Sequence, residues 1–213
     1  RLPKVPSGGG FSPKKLPELL RHKGIMGLYL FTLLISSAIY VAYSYIEPFL
    51  KQVSLMPDDW VTTALMVFGG AGLLGSIAFS KYYNRNRKLF ITVNVAAMAL
   101  CLLLLYPVSS GFLPVIMLLA VWGATATAYN VAMQSNMILV TTPESTPVAM
   151  SIFSGIFNLG IGSGAFFGGA ICSDLSISYI GLAGGVLALI GVVYWVARLG
   201  NRIEPKDTLD KYL

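Results

Sequence analysis

Residues 148–172 read VAMSIFSGIFNLGIGSGAFFGGAIC, with six glycines and no charged side chain. The stretch exceeds the roughly 20 mostly apolar residues that a helix needs to cross a bilayer. No water satisfies backbone N–H and C=O groups inside hydrocarbon, so a run of this length must bond within itself as a helix. Working outward, five further runs share its character: 25–49, 61–80, 89–106, 113–139 and 180–199. Barrel strands are excluded by length and pattern, because they run about 9–11 residues and alternate in polarity. The expected fold is an all-α membrane protein with six transmembrane helices over 24–200. A cytoplasmic linker, 1–23, and a cytoplasmic tail, 201–213, flank it.

Composition agrees. Of 213 residues, 55% are hydrophobic and 11% charged, and mean hydropathy is +0.72, whereas a soluble domain carries about 25% charged residues. An ordinary soluble enzyme, a disordered tail and a disulfide scaffold are excluded. The net charge of +6 is interleaved with apolar runs instead of gathered on one folded face, so no nucleic-acid partner is expected. Cys101 and Cys172 fall inside apolar runs without metal-type spacing and read as inert thiols. The sole histidine, His22, precedes the first span, so no cofactor, metal site or catalytic cluster is expected. Residues 160–164, GIGSG, follow no strand that would build a nucleotide fold and have no base for Ser163. Residues 1–24 lack a signal-peptide pattern. The start at Arg1 reads as that of a fragment or processed piece, with an amphipathic stretch at 16–20 expected on the lipid surface.

Six spans place both termini and the second and fourth loops on one side. That side takes fourteen of the 15 lysines and arginines, four of them in the loop 81–88; the other holds Lys51 alone, beside Asp58, Asp59 and Asp174. By the positive-inside rule both termini are cytoplasmic. Pro57 with Asp58 and Asp59, Pro107 with Gly111, and 141–147 mark loops. Pro48 and Pro114 are expected at span ends, where a missing N–H costs least.

Residue types repeat. The first span carries Thr32, Ser36, Tyr40, Tyr43, Ser44 and Glu47, most of them on one helical face. The second is rich in glycine: Gly69, Gly70, Gly72 and Gly75. The third is plain, with Asn94 its one strongly polar member. The fourth is polar again (Thr125, Thr127, Tyr129, Asn130, Gln134, Asn136), the fifth repeats Gly160, Gly164 and Gly168, and the sixth is plain. Three spans repeated must invert, and inverted three-plus-three repeats mark transporter halves. Spans one and four are expected to line a wet pathway, because polar groups are costly in lipid. Spans two and five are expected to form close, mobile packing surfaces on Gly72, Gly75, Gly160, Gly164 and Gly168. Leucine at Gly164 is expected to block transport and alanine to be far milder.

Three stretches resemble one family. Residues 42–49 (AYSYIEPF), 69–76 (GGAGLLGS) and 148–162 (VAMSIFSGIFNLGIG) resemble the seventh, eighth and eleventh helices of bacterial sugar efflux transporters. These form part of the drug:proton antiporter branch of the major facilitator superfamily. The resemblance implies the second half of a twelve-helix bacterial inner-membrane transporter. Such a protein exports arabinose-like sugars and isopropyl thiogalactoside with the proton gradient as energy source. It also implies an N-terminal six-helix half as partner, carrying the main proton-coupling carboxylate. The loop 81–88 stands where the superfamily has a Gly-Asp-Arg-Gly-Arg signature but lacks its Asp and both glycines.

The candidate substrate-binding residues are Tyr40, Tyr43, Ser36, Glu47, Asn130, Gln134 and Asn158. Amides both donate and accept, as sugar hydroxyls require, and aromatic rings stack on the apolar faces of pyranoses. Glu47 reads equally as a binding or titrating group and as an acid at the membrane interface. For the amides the competing role is interhelical hydrogen bonding, worth about 0.6–2 kcal/mol each. Asn94 is read in that way, Trp122 as packing, and Thr125 as bonding its own helix. Export of a sugar or similar small polar solute leads. Multidrug efflux and a non-transporting six-helix membrane partner are the alternatives.

Overall fold

The computed structural model describes residues 21–200; the stretch 16–20 and the tail 201–213 lie outside the described residues. Six helical spans, long and apolar enough to cross a membrane, make up nearly all of what is described. Span one begins as helix Lys23–Tyr43 and ends as the short helix Ile46–Gln52. The expected run with Pro48 near its end is one span, Lys23–Gln52, but its helix is interrupted. Pro48 sits in the first turn of the second piece, where it has no N–H to offer the Ser44 carbonyl and its ring crowds that carbonyl. The helix therefore breaks at Ser44 and Tyr45 and restarts with the Phe49 N–H on the Tyr45 carbonyl, at 3.0 Å.

Span two is Asp58–Tyr82, and Asp58 and Asp59, expected in a loop, form its first turn. Carboxylates there complement the positive end of the helix dipole. Span three, Arg87–Leu104, is capped by Asn86, whose Oδ1 accepts the Leu89 N–H at 2.9 Å. Span four is Phe112–Leu139, and span five, Thr146–Asp174, carries Pro147 in its first turn. Span six is Ile180–Tyr194, followed by a π turn, Trp195–Leu199. Connections of a few residues make consecutive spans run in opposite directions. One end of the bundle thus gathers Lys23, Lys81, Arg85, Arg87, Lys88 and Arg198 (the basic end), and the other Glu47, Lys51, Asp58, Asp59 and Asp174 (the acidic end).

Packing follows the repeat. Span one lies along spans five and six, span four lies along spans two and three, and span three lies along span six. Exchanging one with four, two with five and three with six leaves this arrangement unchanged, as an inverted repeat requires. The backbones of spans one and four stay further apart, and the two meet through side chains, Phe31 with Tyr129 at 5.9 Å and Tyr43 with Trp122 at 6.2 Å. Large apolar side chains such as Met66, Leu73, Leu113 and Phe166 point outward, a surface suited to lipid.

Glycine sets the closest approaches. A Cβ on Gly164 would stand 2.5 Å from the Ser37 carbonyl oxygen and 2.9 Å from the Tyr40 Cβ, and one on Gly168 would stand 2.5 Å from the Val41 carbonyl. On Gly160 it would land on the Ser36 hydroxyl; on Gly75, on the Ala124 carbonyl. A Cβ on Gly72 would meet Thr127 Oγ1 at 2.6 Å. Span six, plain in sequence, uses the same device: Cβ atoms on Gly181 and Gly184 would each come within 2.6 Å of a backbone carbonyl, Leu102 and Ala38. A Cβ on Gly69, Gly70, Gly155 or Gly162 would meet no neighbouring element within 4 Å among the described residues.

Alanine at Gly164, expected to be far milder than leucine, already meets backbone atoms that cannot rotate away. Gly164→Ala and Gly75→Ala should each cost about 1–3 kcal/mol through overpacking and lower the thermal unfolding midpoint in detergent. Gly70→Ala and Gly162→Ala should leave it unchanged or raise it, since alanine favours helix by about 1 kcal/mol. Equal midpoints for all four variants would contradict the seams.

Candidate functional site

Between spans one, two, four and five lies a cavity of about 370 Å³. Tyr40 and Tyr43, one turn apart just before the break in span one, form one wall, with their rings perpendicular at 5.7 Å. Phe157 of span five closes on Tyr40 edge-on at 6.3 Å. On the other side Gly123 lets the Phe68 backbone come against span four; a Cβ there would land on the Phe68 carbonyl. The Phe68 ring is thereby seated on Tyr43 at 4.9 Å and on buried Trp122 at 5.3 Å. Thr127, Tyr129 and Asn130 of span four complete the lining, and among the described residues no charged side chain lines the cavity.

Hydrogen bonding separates the committed polar groups from the available ones. In these spans most small polar side chains bond the carbonyl one turn back on their own helix. Asn94 does so to Phe90 at 2.8 Å, Asn136 to Ala132 at 3.1 Å, Asn158 to Ser154 at 2.8 Å and Thr125 to Val121 at 2.9 Å. Asn130 and Gln134 are the exception: the Gln134 Nε2 donates to the Asn130 Oδ1. That bond leaves the Asn130 amide nitrogen as a donor in the cavity wall. Tyr129 and Thr32 are buried side by side, their hydroxyls next to each other.

Of the residues expected from sequence, Tyr40, Tyr43 and Asn130 line the cavity, with Gln134 one turn behind. Ser36 does not line it. It is buried under Gly160 and donates to the Thr32 carbonyl at 2.6 Å. Asn158 sits on an exposed face of span five, where Phe157 takes the cavity side. Glu47 is carried past the break to the acidic end. There Lys51 Nζ stands 3.0 Å from Glu47 Oε1 and 3.0 Å from Asp58 Oδ1, in a separate hollow with Thr62 and Met66. All three side chains are well exposed, so solvent screens the pairs. Gly72, Gly75, Gly160, Gly164 and Gly168 all lie in helix seams.

Sequence reading did not single out Phe68 or Phe157, and it named Tyr129 only as one of the polar residues of span four. Phe68 adjoins the Gly69-Gly70 pair and Phe157 lies in the most distinctive stretch of span five, but aromatic residues are too common in spans for either to stand out. At the basic end Arg87 lies over the Tyr83 ring at 5.6 Å, and Trp195 Nε1 donates to the Lys88 carbonyl at 3.3 Å. Burial pushes the Tyr83 hydroxyl above its ordinary pKa, with Ser135 and Arg87 opposing the rise.

A sequence model of the Major Facilitator Superfamily matches residues 86–211, more than half of the chain.

Phe68→Ala should open the wall behind which Trp122 is buried. With Trp60 and Trp195 replaced by Phe, the remaining tryptophan emission should shift to the red and become more open to acrylamide quenching. Leu73→Ala, on the outward face of the same span, should change neither. Identical spectra for the two variants would contradict the described wall.

Proposed function

The chain belongs to the major facilitator superfamily, a family of membrane transporters, and from that premise we propose that it is the second half of an exporter of sugars or similar small polar solutes. The observation that carries this reading is the character of the cavity. Aromatic rings on two sides, an amide donor and several hydroxyls, without charge, match a neutral ring with apolar faces and a polar rim. Its volume of about 370 Å³ falls within the about 300–1,000 Å³ typical of ligand sites. The resemblance of 42–49, 69–76 and 148–162 to bacterial sugar efflux transporters supports the same choice.

In this reading alternating access is driven by protons through a carboxylate in the N-terminal half. The cavity offers no carboxylate of its own, and Glu47 is held in an ion cluster at the acidic end. The bacterial inner membrane and cytoplasmic termini follow from the resemblance and the charge bias. Multidrug efflux is the second reading, favoured by the aromatic walls alone.

With the complete transporter in proteoliposomes and labelled isopropyl thiogalactoside as probe, Asn130→Ala and Tyr40→Ala should each weaken binding about tenfold, a loss of about 1.4 kcal/mol. Glu47→Gln should leave affinity and the pH profile of export near wild type. A loss confined to Glu47→Gln would move the site to the acidic end, and binding of hydrophobic cations without sugars would favour the second reading. In whole cells a single cysteine at Ser176 should react with an impermeant maleimide from outside and one at Asn86 should not. The reverse pattern would invert the topology.

A further inference from the structure

A second hollow lies beside the cavity, toward the acidic end. Glu47 and Lys51 of span one and Asp58, Thr62, Leu65 and Met66 of span two line it. On span two, Leu65 and Met66 of the hollow precede Phe68 and Gly69 of the cavity by less than one turn of helix. On span one, Glu47 follows Tyr43 across the break. The Tyr43–Phe68 ring contact at 4.9 Å therefore lies where one space gives way to the other. Lys51 has a firm footing there. Its short helix is anchored by Phe49 and Leu50, both fully buried, and by the Ser54 and Met56 N–H groups on the Phe49 and Leu50 carbonyls, at 3.2 and 3.0 Å. From this position Nζ stands 3.0 Å from a carboxylate oxygen of Glu47 and of Asp58 at once. Exposed pairs of this kind add little stability, so their consequence lies in the charge they leave. The acidic end carries Glu47, Asp58, Asp59 and Asp174, and Lys51 is its sole cation among the described residues.

The cavity is uncharged but not indifferent to charge. Tyr40, Tyr43, Phe68 and Phe157 line it with aromatic rings, and aromatic faces attract cations. Unpaired carboxylates next door would add to that attraction. We infer that Lys51 sets the charge selectivity of the site proposed above. As a tethered cation it takes the place between Glu47 and Asp58 that a solute ammonium would occupy, and so keeps the aromatic cavity a seat for neutral solutes. Lys51 does not line the cavity; it is a specificity-determining residue that acts through its charge. Glu47, weighed from sequence as a solute ligand, has Lys51 as its partner instead. The inference rests on the cavity being the solute's seat and bears on both readings of it, since Lys51 is what stands between a sugar site and a site for hydrophobic cations.

Equilibrium binding of tetraphenylphosphonium and of labelled isopropyl thiogalactoside tests this, in the complete transporter in lipid nanodiscs with empty nanodiscs subtracted. Lys51→Gln should tighten tetraphenylphosphonium binding about threefold in low salt, the effect of one unit charge roughly 6 Å away in water-like surroundings. The gain should disappear at about 1 M salt, where screening acts over about 3 Å. Isopropyl thiogalactoside affinity should not change, because a neutral ring gives Lys51 no charge to oppose. Lys51→Arg, which keeps the charge, should match the unsubstituted protein for both probes. The triple variant Glu47→Gln, Lys51→Gln, Asp58→Asn leaves the hollow uncharged and should bind tetraphenylphosphonium no more tightly than the unsubstituted protein. The comparison is made within one cationic probe, so it reads Lys51 whether or not the sugar binds; absence of sugar binding to the unsubstituted protein would strike the sugar reading alone. No gain in Lys51→Gln overturns the inference. A gain that survives high salt or the triple substitution, or that the neutral probe shares, overturns it too, because each traces to altered packing and not to charge.

Discussion

Lipid tails are as apolar as leucine, so burying one apolar helix against another in a membrane gains little from the hydrophobic effect. Association has to come from close packing and from the few hydrogen bonds that can cross between helices. Glycine is the residue that lets two backbones come near enough for both. The rest of the structure depends on this constraint. Gly160, Gly164 and Gly168 seat span one, Gly72 and Gly75 seat span four, and Gly181 and Gly184 lock span six onto its neighbours. Once these seams are closed, the space between the two parallel pairs is fixed.

The seams also decide the chemistry of that space. Gly123 brings span two close, and Phe68 is thereby pressed onto Tyr43 and Trp122 to become a wall. Gly164 brings Tyr40 beside span five, where Phe157 meets it. Most other polar side chains in the spans are committed to their own helix, one turn back, which makes them cheap to hold in hydrocarbon and poor ligands. Asn130 and Gln134 bond each other instead, so their remaining capacity is directed outward from the helix. A transporter needs this separation. Polar groups used for structure must not compete for the solute, and those that meet it must lie against a surface that excludes water.

Much of the fold was legible in residue types. Run length and the distribution of lysine and arginine gave six spans, and the order polar, glycine-rich, plain gave the repeat that the packing obeys. What escaped was local. Pro48 looked harmless at the end of a run, but a proline acts on the carbonyl four residues before it, and the break moved Glu47 off the helix face that periodicity had assigned it. Ser36 lies in a buried helix seam and Asn158 on an exposed face away from the cavity, placements that the pattern of one span alone does not resolve. The regular spacing of Gly160, Gly164 and Gly168 announced a seam without saying that the Tyr29 and Tyr45 hydroxyls would cross it to the Ala149 and Ala165 carbonyls.

Four spans shaped by glycine seams hold an uncharged cavity, the proposed seat of a small polar ring. Trp122 lies directly behind the aromatic wall of that cavity and can report on it. In the complete transporter, with every other tryptophan replaced by phenylalanine, its fluorescence is recorded while isopropyl thiogalactoside is added. Occupancy beside Tyr43 and Phe68 predicts a saturable change that is shifted to higher concentration by Asn130→Ala. A signal that stays flat, or that saturates identically in the Asn130 variant, would contradict the account.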